Sequence, residues 1–187
     1  MLHIKTNEKL EECIKSMLWD TKYKLPFYGE FNLGINFISE KSIPTCGVNV
    51  TSKGMNFYHN DEFLSRLPQE EVNFIDIHEI FHLLFNHPKR TVAGNYDPKI
   101  SNIVQDMIIN DIIWSDINRA FVQIPKDENG KNMALFVPKE YTGPLIFEAL
   151  YNWFLEQKEK RDKEKAEEEK KKSDSGEGDS GEGDSGE

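Results

Sequence analysis

The sequence predicts an α+β fold in which a small β-hairpin or sheet packs on two buried helices. Three observations indicate this fold: apolar residues recur at helical spacing, two short strand-like runs flank a turn, and two longer segments are apolar on nearly every side. The 187 residues suffice for one domain of ordinary size. We therefore expect a folded domain over 1–156, a charged helical extension over 157–172 and a tail over 173–187.

The N-terminal part of the domain is predicted to form a helix and then a hairpin. The helix covers 7–20, and Pro26 and Gly29 are expected to end this helical segment. Its apolar positions have helical spacing: Leu10, Cys13, Ile14, Met17 and Leu18. Strands at 44–51 and 55–59 follow, and Gly54 stands between them where a tight turn needs a residue without a side chain.

The rest of the domain is predicted to be helical. A buried helix should begin after Pro68 and run to Pro88, and a second one should cover about 99–117. A final helix covers roughly 144–160 and continues into the extension, where lysine, arginine and glutamate alternate.

The charge is concentrated at the C-terminus. The formal net charge is −10, and the tail contributes six acids with no base in a repeated Ser-Gly-Glu-Gly-Asp pattern. Such a segment buries too little apolar surface to fold, so we expect it to be disordered. The folded part is only mildly acidic, which disfavours a nucleic-acid partner.

Two further absences bear on where the protein acts. No apolar run approaches the length of a membrane span, and the N-terminus lacks the apolar core of a signal peptide. Cys13 and Cys46 show no metal or disulfide motif, so they are expected to be reduced. We therefore expect a cytoplasmic protein with no membrane partner.

The first buried helix contains His78-Glu79-Ile80-Phe81-His82, which has the HExxH pattern. Histidines four positions apart leave the same face of a helix, so both imidazoles can bind one tetrahedral Zn²⁺. Glu79 does not act as a ligand in this pattern. Its position suits a general base that takes a proton from a water attacking a carbonyl.

Zinc needs a third protein ligand, and the sequence offers two candidates. Asp106 lies on the second buried helix, where a carboxylate needs a positive partner. His87 follows His82 closely, but on a continuous helix it points away from His78, so we expect it to cap the helix C-terminus. We favour Asp106 and leave His87 open. Asn110 could then hydrogen-bond a histidine ligand.

Two other roles are less determined. The strand at 55–59 precedes the HExxH helix and could present an open edge to an extended peptide. Tyr141 and Arg90 are weak candidates for stabilising an oxyanion, and we assign neither.

The ordered set of Met55–Phe63, HExxH, His87–Arg90 and Asp106-x-x-x-Asn110 resembles the "putative metallopeptidase domain" family of bacteria and phages. The resemblance covers roughly residues 8–155. It implies a zincin-like fold, a zinc site and hydrolysis of peptide or protein substrates. Family members are commonly followed by a von Willebrand factor A-like domain, so the resemblance also implies a possible partner protein, either von Willebrand factor A-like or an AAA+ ATPase.

We therefore predict a zinc metallopeptidase in which His78, His82 and Asp106 bind Zn²⁺ and Glu79 is catalytic. The alternative is a catalytically silent zinc-binding adaptor or interaction protein. A metal-dependent RNA hydrolase is disfavoured by the lack of a basic patch.

Overall fold

The computed structural model describes residues 6–174, with side chains up to residue 167. Over these residues the fold is α+β, as predicted. The helices are α1 (Glu8–Trp19), α2 (Pro26–Asn32), α3 (Asp61–Arg66), α4 (Gln69–Leu84), α5 (His87–Ala93), α6 (Pro98–Asp116) and α7 (Phe147–Asp174). The strands are β1 (Ile35–Ser39), β2 (Cys46–Thr51) and β3 (Gly54–His59).

Helix α4 carries HExxH and is enclosed on two sides. On one side, Ile77 and Phe81 pack with buried residues of α1 and α6. On the other side, Val72 and Ile80 pack with Phe57 of β3. This double burial explains why the helix is apolar on nearly every side.

The sheet has the strand order β1-β3-β2. The predicted hairpin is present, with Gly54 at a φ of +122°, a conformation that favours glycine. The prediction that the strand at 55–59 forms an open edge is wrong. β1 pairs parallel to β3 on its other side, so β3 is the central strand and β2 is an edge strand.

The sequence did not indicate β1 or α2. Pro26 was expected to end a helical segment, but it begins α2, where its missing N–H costs nothing. Gly29, which was also expected to end the segment, lies inside α2, and a Cβ there would come within 2.8 Å of Leu18 Cγ. The two helices therefore pack closely at this glycine.

The first buried helix is shorter than predicted. α4 ends at Leu84, and Asn86 adopts a left-handed conformation with φ of 55°. Asparagine tolerates this region better than most residues. The chain therefore turns, and α5 begins at His87, so His87 does not cap α4 as expected.

The predicted final helix is present as α7 and continues through the charged extension. The disordered tail was predicted to begin at residue 173, but α7 includes residues 173 and 174, and the rest of the predicted tail lies outside the described residues. Of the helices that are described, none combines the length and the apolar character needed to cross a membrane.

A buried carboxyl group lies where α1, α2 and α4 meet. Asp76 of α4 is fully buried and accepts hydrogen bonds from Asn32 Nδ2 at 2.7 Å and from Cys13 Sγ at 3.7 Å. Its Oδ1 has no hydrogen-bond partner among the described residues. Burial raises the pKa of Asp76 to about 7, and the two hydrogen bonds offset only part of this rise.

Asp76→Asn should change how stability depends on pH. The folded protein keeps the Asp76 proton up to about pH 7, whereas the unfolded chain releases it near pH 4. Wild type therefore loses stability between these values, and the asparagine variant does not. From pH 5 to pH 8, the free energy of unfolding of the variant relative to that of wild type should rise by roughly 2–3 kcal/mol. Denaturant unfolding of both proteins in the presence of chelator measures these free energies. If the variant differs from wild type by the same amount at pH 5 and at pH 8, the prediction is contradicted.

Candidate metal centre

Three side chains from α4 and α6 converge in the lining of a cavity. The Nε2 atoms of His78 and His82 lie 3.0 Å apart, as expected for histidines one helical turn apart. Asp106 Oδ1, from α6, lies 3.0 Å from His82 Nε2 and 3.5 Å from His78 Nε2. The structure thus brings together the three residues that the sequence analysis chose as ligands.

The donor set suits a metal ion. Asp106 Oδ1 is buried and makes no hydrogen bond among the described residues, although His82 Nε2 is within reach. A buried carboxylate oxygen normally has a hydrogen-bond or metal partner. Two imidazole nitrogens and this oxygen offer three lone pairs to one point, and a cation at that point satisfies all three.

Each of the three side chains is also held by a neighbouring residue. His78 Nδ1 lies 2.9 Å from Asn110 Oδ1, and His82 Nδ1 lies 3.1 Å from His87 Nδ1. The third ligand is held in the same way, because Asn102 Nδ2 donates a hydrogen bond to Asp106 Oδ2 at 3.0 Å. Partners of this kind fix the tautomer and orientation of ligands, leaving Nε2 of each histidine free to bind metal.

His87 contributes to this arrangement in a way the sequence analysis missed. It is 2% exposed, and its ring packs edge-on against His82 with ring centres 5.0 Å apart. Burial, together with His82 and Arg90, lowers the pKa of His87 to about 3. A neutral His87 can accept a hydrogen bond from His82 Nδ1–H, so it orients a ligand and is not among the three converging donors.

The charges of the site favour an ionised Asp106. Burial raises the pKa of this carboxyl, but contact with His78 and His82 outweighs burial and brings the pKa well below its usual range. Burial alone lowers the pKa of His78, yet Asp106 and Glu79 reverse the shift. Asp106 is therefore an anion that can compensate a bound cation.

Glu79 lines the same cavity but is not one of the converging donors. Burial raises its pKa, and the two histidines offset part of that rise. A carboxylate with a raised pKa is a better proton acceptor than an exposed one. Its place beside the histidines suits proton transfer at a group bound near them.

The cavity has a volume of about 560 Å³. β2 contributes Cys46, Gly47 and Val48 to its lining, and an irregular segment contributes Met133, Ala134 and Leu135. Asn110 Nδ2 donates to the Leu135 carbonyl at 2.7 Å, which joins this segment to the His78 side chain.

Neither weak candidate for an oxyanion group lines this cavity. The Tyr141 hydroxyl donates to the Pro144 carbonyl at 2.7 Å, and Arg90 pairs with Glu148 at 2.6 Å. The contact of Asn102 with Asp106 was not predicted, although a spacing of four residues on a helix could have indicated it.

Comparisons with known proteins bear on this site. The family model described as "Putative metallopeptidase domain" matches residues 16–186. A protein of Thermotoga maritima described as uncharacterized is 26% identical over 159 residues, which is 81% of this chain and 40% of that protein. The chain therefore spans about two fifths of this relative's length. No solved structure matches the chain. Because the family model covers most of its length, the chain belongs to the family described as putative metallopeptidase domain.

Proposed function

We propose that the protein is a zinc-dependent metallopeptidase with a zincin-like arrangement of its site. The observation that carries the proposal is the convergence of His78, His82 and Asp106 next to Glu79 in one cavity. Zinc bonds of about 2.0–2.1 Å in a tetrahedron place ligand atoms about 3.3 Å apart. The spacings of 3.0, 3.0 and 3.5 Å between the three atoms lie around this value.

In this proposal His78, His82 and Asp106 hold the ion, and Glu79 moves the proton. Zn²⁺ supplies a Lewis acid that lowers the pKa of a water toward neutrality and polarises a carbonyl. Glu79 takes a proton as the water oxygen bonds to the carbonyl carbon of the peptide. When the C–N bond breaks, Glu79 returns that proton to the leaving nitrogen. One water is consumed, and a carboxylic acid and an amine are released.

The edge of β2 suits an extended substrate. Asn60 N–H donates to the Thr45 carbonyl at 2.9 Å, and this contact continues the register of β2 with β3. Hydrogen-bonded pairs alternate along an antiparallel ladder, so the backbone groups of Cys46 and Val48 face away from β3. Both residues line the cavity. A peptide backbone pairing with this edge would pass beside Glu79.

The proposal is tested by peptide cleavage that depends on the metal. Zinc-loaded protein, chelator-treated protein and chelator-treated protein given zinc again are incubated with a mixed peptide library, and products are identified by mass spectrometry. We expect cleavage in the first and third samples and not in the second. Equal cleavage with and without chelator contradicts the proposal. Zinc-loaded protein that cleaves nothing favours the silent zinc-binding adaptor.

A further inference from the structure

The described lining of the cavity offers a chain terminus no basic side chain and no carboxylate without a role at the metal site. Of the described residues that line it, Glu79 and Asp106 are the carboxylates, and none is lysine or arginine. Arg90 lies on α5 close to the lining, but it pairs with Glu148. A divalent ion balances the two carboxylates, so the loaded cavity carries no formal charge from these groups.

This neutrality bears on which part of a peptide can bind. A terminal carboxylate or ammonium group that leaves water needs a charged or strongly hydrogen-bonding partner. Carboxylates are commonly held by arginine or lysine, and ammonium groups by acids. Here the described acids are already assigned, Asp106 to the ion and Glu79 to the proton. An internal stretch of chain, with neutral amides at both ends, has no such requirement.

The lining is also apolar beyond the polar site. Val48, Phe63 and Ile75 contribute to it near β2. Met133 and Leu135 contribute from the irregular segment and remain 44% and 52% exposed. When a ligand's apolar side chain covers apolar side chains that are partly exposed in a cavity, the buried apolar surface makes binding more favourable.

The apolar segment is held in place relative to the site. Met133 N–H donates to the Pro125 carbonyl at 2.8 Å, and the Leu135 carbonyl accepts from Asn110. Because Asn110 also contacts His78, the wall and the metal ligand share one anchoring residue. A substrate side chain that covers Leu135 would therefore sit at a defined place relative to the reacting bond.

We propose that the cavity binds an internal, uncharged stretch of polypeptide and seats an apolar side chain against Met133 and Leu135. This inference rests on the proposed peptidase function and makes the protein an endopeptidase with an apolar preference. Its substrates are exposed apolar segments of proteins or long peptides, and not the ends of chains.

The test measures binding, which is independent of turnover. The probes are fluorescent hexapeptides binding to zinc-loaded wild-type protein, which keeps both carboxylates, and anisotropy is read before mass spectrometry detects cleavage. One peptide has two central leucines and blocked ends, a second has the same residues with free ends, and a third has aspartate in place of both leucines. We expect the first two to bind equally within about twofold, and the third to bind at least about tenfold more weakly.

Variants of the wall provide the matched comparison. Measured in the same way, Leu135→Ser should weaken binding of the blocked leucine peptide by about tenfold, with unchanged zinc content. Val92→Ser is the control, because Val92 is 81% exposed and does not line the cavity. It should leave the affinity unchanged.

Four binding results overturn the inference. They are tighter binding of the free-ended peptide by tenfold or more, equal binding of the aspartate peptide, an unchanged affinity in Leu135→Ser, and no binding of the blocked leucine peptide at millimolar concentration. The proposed function fails separately. Wild type that binds this peptide without cleaving it is not a peptidase, whereas wild type that removes only terminal residues keeps the proposed function and overturns the inference.

Discussion

Glutamine in place of Glu79 should lower peptide hydrolysis by about a hundredfold or more, the scale of a lost general base. The amide keeps the size of the side chain but cannot take a proton from water. Zinc content should stay the same, because Glu79 is not one of the three converging donors. Initial rates on a peptide found in the library experiment, measured beside zinc per chain, test this expectation.

The matched control is Glu70→Gln, the same substitution in the first turn of α4. Glu70 is exposed and does not line the cavity, so its variant should cleave at the wild-type rate. If Glu79→Gln loses zinc, Glu79 is a ligand and its assigned role is wrong. If it cleaves as fast as wild type, the activity arises from another site or a contaminant.

Alanine in place of Asp106 should reduce bound zinc from about one ion per chain to nearly none. The substitution removes the only carboxylate among the three converging donors and leaves the two imidazoles. His82→Ala should have the same effect. Elemental analysis after dialysis against a weak chelator measures the zinc content of each protein.

Substitutions around the ligands should have a smaller effect. Asn110→Ala and His87→Phe keep the three donors but remove contacts that orient them, so zinc affinity should fall about tenfold to a hundredfold. Asp111→Ala is the control, because this neighbouring acid on α6 accepts from the Val137 N–H and is not among the donors. If Asp106→Ala still binds about one zinc ion per chain, Asp106 is not a ligand, and His87 becomes the candidate for the third ligand.

The sequence alone was sufficient for features that depend on neighbours along the chain. The helical spacing of His78 and His82 placed both imidazoles on one face of the helix, and their Nε2 atoms lie 3.0 Å apart. The apolar character of α4 and α6 indicated their burial. Gly54 marked the hairpin turn, because a positive φ is a local requirement that glycine meets without strain.

Tertiary structure decided the features that depend on distant contacts. The third donor could be weighed from the sequence, but the choice between Asp106 and His87 depends on how α6 packs beside α4, which brings Asp106 Oδ1 to 3.0 Å from His82 Nε2. The sheet order likewise could not be derived, since β1 pairs with β3 across twenty residues and strand pairing depends on packing more than on local preference. Local periodicity records which face of an element is apolar. It does not record which element covers that face. The cavity wall at Met133 and Leu135 depends on a contact of this distant kind, the hydrogen bond from Asn110 to the Leu135 carbonyl.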